Sequence, residues 1–238
     1  MNAPVPTNEA ERLAALRDFH VLDTETDQVY DDITHLAAYI CNVPIAMISL
    51  VDESRQWFKS KLGVNHTETP RDVAFCAHAI LRPEPLIVTD ALKDSRFAEN
   101  ALVKRAPRIR FYAGFPLMTS EGLALGTLCA IDRRPRRLSK RQVETMQALA
   151  RQVMALLDFR RVSEHLADTL EHVKTLRGLL PICAWCKRIR DDNGYWNQVE
   201  AYVRANSEAD FTHGICPDCA EKVRSKKRTI GGEAASWP

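Results

Sequence analysis

Two Cys-x-x-Cys pairs, Cys183-Ala184-Trp185-Cys186 and Cys216-Pro217-Asp218-Cys219, constrain this chain more tightly than any other feature. Thiols three residues apart form a tight knuckle that aims two sulfurs at one point. Two such knuckles brought together supply the four ligands of a tetrahedral ion such as zinc. The gap between the pairs exceeds the roughly 15–20 residues of the commonest ribbon spacing, so it must contain structure of its own. Asp191-Asp192-Asn193-Gly194 has hairpin-turn chemistry. Gln198 to Ala205 reads as a short helix with Val199, Tyr202 and Val203 inward, and Cys219 to Val223 as another. A unit this small buries little core, and a structural metal supplies stability because its binding free energy becomes folding free energy. Cys183, Cys186, Cys216 and Cys219 are therefore expected to hold zinc, with His213 in the second shell or replacing one thiolate. A dithiol redox switch and an iron–sulfur cluster are the competing readings. A c-type haem is disfavoured, because Lys187 and Ala220 stand where the histidine would follow each pair.

The chain has 238 residues, enough for one full domain and a small second unit. Its formal net charge of +2 gives no general electrostatic reason to bind nucleic acid. The basic run Lys222–Arg228 reads as a solvated tail, and residues 225–238 as disordered. No stretch of about 18 apolar residues is present, and the N-terminus lacks a basic-then-apolar signal pattern. A cytoplasmic protein with no membrane contact is expected. In a reducing compartment the scattered Cys41, Cys76 and Cys129 read as buried small side chains rather than disulfide partners.

Along the chain, Thr7 or Asn8 caps a first helix carrying Leu13, Leu16 and Phe19. A second helix spans about Asp27 to Cys41, with Ile33, Leu36, Ala37 and Ile40 on one face. Ile45–Val51 and Gln56–Ser60 read as a strand hairpin, and 61–73 as a loop. A short helix at 74–81 follows, then a strand at 86–90 and a turn with a short helix over 91–100. Two further strands, 110–118 and 124–132, flank a turn at Glu121-Gly122. This order implies an α+β domain with a central, mostly antiparallel sheet. Ser139 caps a long helix to about residue 177. Leu149, Val153 and Leu156 face the sheet domain, and Phe159, Val162, Leu166, Thr169, Val173, Leu176 and Leu180 continue as a heptad seam. The favoured partner for that stripe is the same helix of a second subunit, giving a homodimer, with packing back on the domain as the alternative.

Four separated segments, taken in order, resemble the GAF domain of bacterial signalling proteins: Phe75-Cys76-Ala77-His78, Thr89–Phe97, Arg110-Phe111-Tyr112-Ala113-Gly114 and Leu125–Asp132. The resemblance covers about residues 10–160, so the sensor domain is placed at 9–160. It implies a sheet with dimer-forming helices on one side and a ligand pocket on the other. Members take cyclic nucleotides, bilins, haem or small metabolites, and the ligand here is unknown. The cyclic-nucleotide signature is absent from this sequence, and a bilin cysteine is usually followed directly by histidine, whereas His78 stands two residues after Cys76. Cys76, His78, Asp90, Arg110 and Tyr112 are the candidate pocket residues. Structural roles compete: His78 as a hydrogen-bonded core residue, Arg110 and Tyr112 as braces to Asp90 or Asp94, and Asp90 and Asp132 as turn caps.

The segment 178–224 resembles a module appended to bacterial sensor and response-receiver domains, through Leu179–Cys183, Ile189–Asp192, Gly194–Trp196 and His213–Cys219. No catalytic set, nucleophile elbow or P-loop is evident. The expected function is therefore non-enzymatic signal transduction: the GAF domain senses a ligand or partner, a dimeric helix carries the change, and the metal unit docks a protein partner. Two other classes compete with it. One is a sensor-enzyme fragment, of histidine kinase or cyclic-di-GMP type; His165 lacks the residues of a phosphoacceptor box. The other is a nucleic-acid-binding regulator using Lys187, Arg188, Arg190 and the terminal basic run, opposed by the interleaved acidic residues Asp191, Glu200 and Asp218.

Overall fold

The computed structural model describes residues 4–172, 180–191, 193–207 and 209–229. The chain divides into two compact units, residues 1–166 and 167–238.

In the first unit, helices α1 (Glu9–Asp18) and α2 (Gln28–Cys41) precede strands β1 (Ile45–Val51) and β2 (Arg55–Leu62). The side chain of Asp27 caps α2 by accepting from the Val29 N–H, and Asn42 ends it in the left-handed conformation at φ 52°. Strand β3 (Glu68–Pro70) and a 3-10 turn (Arg71–Val73) follow, where a plain loop was expected. Glu68 to Pro70 carries no apolar alternation. It is a strand because its backbone pairs with Arg55 to Trp57 at the sheet edge. Next come α3 (Phe75–Ala79), β4 (Leu86–Val88), α4 (Ala101–Lys104), β5 (Phe111–Met118) and β6 (Ala124–Asp132). The short helix expected within 91–100 is a run of turns there. The helix begins only where Asn100 accepts from the Leu102 N–H as N-cap.

The sheet order is β3-β2-β1-β6-β5-β4, every neighbouring pair antiparallel. Strands β1, β5 and β6 are continuous apolar runs because both sheet faces are covered. On one face Ile48, Leu50, Phe115 and Leu128 pack against Leu16 of α1, Ala37 of α2 and Met146 and Val153 of helix α5 (Lys140–His172). On the other face Met47, Tyr112, Cys129 and Ile131 pack under α3 and the irregular segment around Phe97. Ser139 and Gln142 cap α5 reciprocally: the Gln142 carbonyl accepts the Ser139 N–H at 2.9 Å, and the Ser139 hydroxyl accepts the Gln142 N–H at 3.3 Å. Leu36, expected inward, is 49% exposed, because α2 rests on the sheet through Ile33, Thr34, Ala37 and Ala38. Phe159, Val162 and Leu166 of the seam are exposed, while Val173 and Leu176 lie outside the described residues.

In the second unit, β7 (Ile189–Arg190) and β8 (Trp196–Asn197) form a hairpin closed at Gly194, whose φ is 87°. Two helices complete it, α6 (Val199–Asn206) and α7 (Pro217–Thr229). Helix α7 runs past Ser225, from which disorder was expected; residues 230–238 lie outside the described set. Val199, Tyr202 and Val203, expected inward, are half-buried while the other residues of α6 are exposed, so the predicted face is the covered one, although none of it is fully buried.

Candidate functional site

On the sheet face opposite α1, α2 and α5 lies a cavity of about 40 Å³. Ile45, Met47, Phe58, Ile109 and Ile131 make its apolar wall, and Gln56, Cys76 and Tyr112 supply polar atoms. Strand alternation sets this arrangement, because Met47, Tyr112 and Cys129 have the parity that turns them away from the helix layer. Helix α3 then lays Cys76 over the same patch.

The Tyr112 hydroxyl donates to the Cys76 sulfur at 3.2 Å, and both side chains are buried. Gly114 makes room for that contact: a Cβ there would stand 2.1 Å from the Tyr112 hydroxyl oxygen. Burial alone would push the Cys76 thiol up. Hydrogen bonds from Cys129, Ser49, Thr127 and Tyr112 outweigh burial and hold it at about 6. Cys129 is driven the other way, well above the ordinary thiol range, by burial and by the neighbouring Cys76 sulfur. Ser49 and Thr127, facing each other across β1 and β6, sit 3.2 Å apart. Gln56 is 5% exposed. Its amide nitrogen points at the Met47 sulfur at 3.9 Å, and its carbonyl oxygen is buried without a hydrogen-bond partner. A buried open acceptor on a cavity wall matches a ligand that carries an N–H or O–H donor.

Of the residues singled out in the sequence, the cavity brings together Cys76 and Tyr112. His78 is half-buried and sets its ring edge against Phe97, 4.8 Å between centroids. Asp90 accepts from the Leu92 N–H as a turn cap and faces Lys93 at 3.7 Å. Arg110 precedes β5 instead of alternating with Tyr112 along it. Its guanidinium donates to the carbonyls of Val103 and Ile109 and so pins the preceding loop. Asp94 pairs with Arg96. Sequence reasoning missed Cys129, Ser49, Thr127 and Gln56. The signal was available in the parity of β1 and β6, which turns Met47 and Cys129, register partners, toward the same face.

In the second unit each Cys-x-x-Cys pair forms a knuckle. The Cys186 N–H donates to the Cys183 sulfur at 3.5 Å, and the backbone around Cys186 and Trp185 holds the Cys183 thiol below its ordinary range. The Cys219 backbone does the same for Cys216, just ahead of α7. The two pairs carry thiol donors of the kind a tetrahedral site uses. Among the described residues, no three His, Cys, Asp or Glu side chains gather to hold a metal ion. No helix among them is long and apolar enough to cross a membrane.

A family model described as GAF domain matches residues 25–157. A curated protein of Pseudomonas aeruginosa, named cyclic di-GMP phosphodiesterase PA2567, is 43% identical over 166 residues. Those residues are 69% of this chain and 28% of that protein, so the chain spans only part of its relative. The expectation of a non-enzymatic protein is corrected by this relative, whose name states an enzymatic activity. Two solved structures share the fold: the PixJ GAF domain of Thermosynechococcus elongatus in its blue-light-absorbing form, and the GAF domain of a phosphoenolpyruvate-protein phosphotransferase from Coxiella burnetii. Each is 14% identical and covers 67% of this chain; their TM-scores are 0.51 and 0.50, over 96% and 99% of their own lengths.

Proposed function

Because this chain belongs to the GAF domain family, we propose that its first unit is the signal-input module of an enzymatic cyclic di-GMP system, controlling phosphodiester hydrolysis. The observation that carries the proposal is the 43% identity, over 166 residues, to a protein named for that activity. A covered sheet face with a small cavity, a buried Tyr112–Cys76 hydrogen bond and an open Gln56 acceptor supports an input role. Helix α5 packs on the opposite sheet face and extends from it, so a change in sheet packing has a rigid element to act on.

Three subsidiary proposals accompany it. Phe159, Val162 and Leu166 pair with the same helix of a second subunit, making the protein a homodimer. Cys183, Cys186, Cys216 and Cys219 hold a structural zinc ion that stabilises the second unit. Zinc binding then draws two knuckles of suitable donor chemistry into one site, with His213 near it. The second unit docks a protein partner of the signalling pathway through exposed aromatic residues, Trp185 and Tyr195 foremost.

The test is a chimaera in which the matched segment of the Pseudomonas relative is replaced by that of this chain, assayed for cyclic di-GMP hydrolysis beside the intact chain. Hydrolysis that persists in the chimaera, and changes at least severalfold when Gln56 or Tyr112 is substituted, is the expected result. Hydrolysis indifferent to both substitutions overturns the input role.

A further inference from the structure

The polar cluster around Cys76 has more chemistry than a packing role needs. Two thiols, a phenol and two hydroxyls sit together in a core that is otherwise apolar. Buried polar groups of this density are costly unless they serve one another, and here the Tyr112 hydroxyl donates to the Cys76 sulfur while Ser49 and Thr127 face each other. That sulfur lines the cavity, so a small molecule entering the cavity meets it. A second thiol, Cys129 of β6, is the register partner of Gly114, over which the Tyr112 hydroxyl stands as it donates to Cys76.

We infer that Cys76 and Cys129 form a dithiol that a small organic hydroperoxide, held in this cavity, oxidises to a disulfide. The inference names the signal of the proposed input module and rests on that reading only for its downstream effect. The apolar wall of Ile45, Phe58 and Ile131 takes the alkyl group, and the open carbonyl of Gln56 accepts the hydroperoxide O–H. The Cys76 thiolate attacks the terminal peroxide oxygen, the O–O bond breaks, and the alkoxide leaves with a proton from solvent. Cys76 is then a sulfenic acid. The Cys129 sulfur attacks the Cys76 sulfur, the S–O bond breaks, and the hydroxyl departs as water with the Cys129 proton. Two thiols lose two electrons and one hydroperoxide becomes one alcohol and one water. The Tyr112 hydroxyl stabilises the starting thiolate and is a positioning group.

Cys41 is a control inside the same molecule. It is equally buried, on α2 and in the other core, and burial alone pushes its thiol up to about 11. Thiolate fraction favours Cys76 and intrinsic nucleophilicity favours Cys41. Cys76 also lines the cavity and accepts the Tyr112 hydroxyl, whereas Cys41 lies outside that cavity, so Cys76 is the thiol expected to react first.

The experiment treats the full, reduced chain with one equivalent of tert-butyl hydroperoxide, or of hydrogen peroxide, and maps the cysteines by peptide mass spectrometry. The expected result is a Cys76–Cys129 disulfide formed before any change at Cys41, and faster with the organic peroxide. Cys129→Ser should stop at a sulfenic acid on Cys76 that a carbon-acid probe captures. Tyr112→Phe should lower labelling of Cys76 relative to Cys41 severalfold, a ratio that mere loosening of the fold would move the other way. Oxidation confined to Cys183, Cys186, Cys216 and Cys219, or equal rates at Cys76 and Cys41, overturns the inference. So does a hydrogen peroxide rate equal to or above the organic one, which removes the substrate class. A disulfide that forms without altering hydrolysis in the chimaera leaves the chemistry standing and sinks the input role instead.

Discussion

Arg12, only 1% exposed, donates through Nη1 to the carbonyl of Val51 at 2.7 Å. The same guanidinium grips both carboxylate oxygens of Glu9 at 2.8 Å, and Arg71 holds Glu9 from the other side. A charge buried at the junction of α1 and β1 is tolerable because each of its directions is answered. Arg12→Ala is expected to cost about 3–5 kcal/mol, since it strands the Val51 carbonyl and leaves Glu9 short of a partner. Changing Glu9 and Arg12 together to methionine should cost less than Arg12→Ala. Urea unfolding of the three proteins checks it, and additive costs would sink the coupling.

The same triad sets a pH dependence. Burial works against the Glu9 charge, but hydrogen bonds from Arg12 and Arg71 outweigh it and hold its carboxyl at about 2. The folded value lies below the unfolded one. The stability it contributes is therefore complete above about pH 4.5 and is lost as pH falls toward 2. The expected loss is about 1–2 kcal/mol after discounting for solvent screening. Glu9→Gln should flatten the stability profile between pH 5 and pH 2, at about those limits. An unchanged slope counts against the triad.

How much of this was legible beforehand follows from where side chains go. Strands β1 and β6 are apolar runs bounded by turn residues, and their limits read directly from the sequence. Arg12 did not, because a charged residue within an apolar stripe reads as the solvent side of a helix until its partners, far off in sequence, are known. Cys129 failed likewise. Parity turns it toward the cavity face, but only the placement of α3 brings Cys76 to it. Arg110 shares the parity of Tyr112 but stands one residue before β5, so its side chain serves the preceding loop and not the sheet face.

Gly126 is a close approach of strands. A Cβ there would sit 1.9 Å from the Ser49 carbonyl oxygen in the centre of the sheet. Gly126→Ala must push β1 and β6 apart, at a cost of about 3 kcal/mol or more. Gly122, in the β5–β6 turn at φ 81°, has open space around it. Its change to alanine costs only the left-handed strain, about 1–2 kcal/mol. Thermal melts of the two variants should rank them in that order, with the cavity cluster, which flanks Ser49 and Thr127, disturbed in the first alone.

The proposed zinc site predicts about one zinc per chain in protein purified without a histidine tag. Chelation should release it and lower helix content, because α6 buries nothing that would keep it folded alone. Cys183→Ser and Cys216→Ser should each reduce bound zinc, and the Cys41→Ser control should not. A chain carrying no zinc, with all four terminal thiols reactive, ends the proposal.

The proposed dimer rests on three side chains of one stripe. Phe159, Val162 and Leu166 are 72%, 59% and 57% exposed, at helical spacings that align them along α5. Apolar residues scattered singly on a surface need no explanation, but a periodic row along the solvent side of a helix does. A second copy of the helix covers the row with its own equivalent and buries each side chain, worth roughly 1.5–3 kcal/mol apiece when complete. Sedimentation should therefore show a dimer at micromolar concentration. Val162→Glu with Leu166→Glu should give a monomer, since facing carboxylates would then be buried unpaired. The monomer should still fold cooperatively, because neither residue belongs to the first unit's core, with a melting temperature lowered only by the lost association. A wild-type protein that sediments as a monomer, or a dimer untouched by both charges, places the dimer contact elsewhere or removes it.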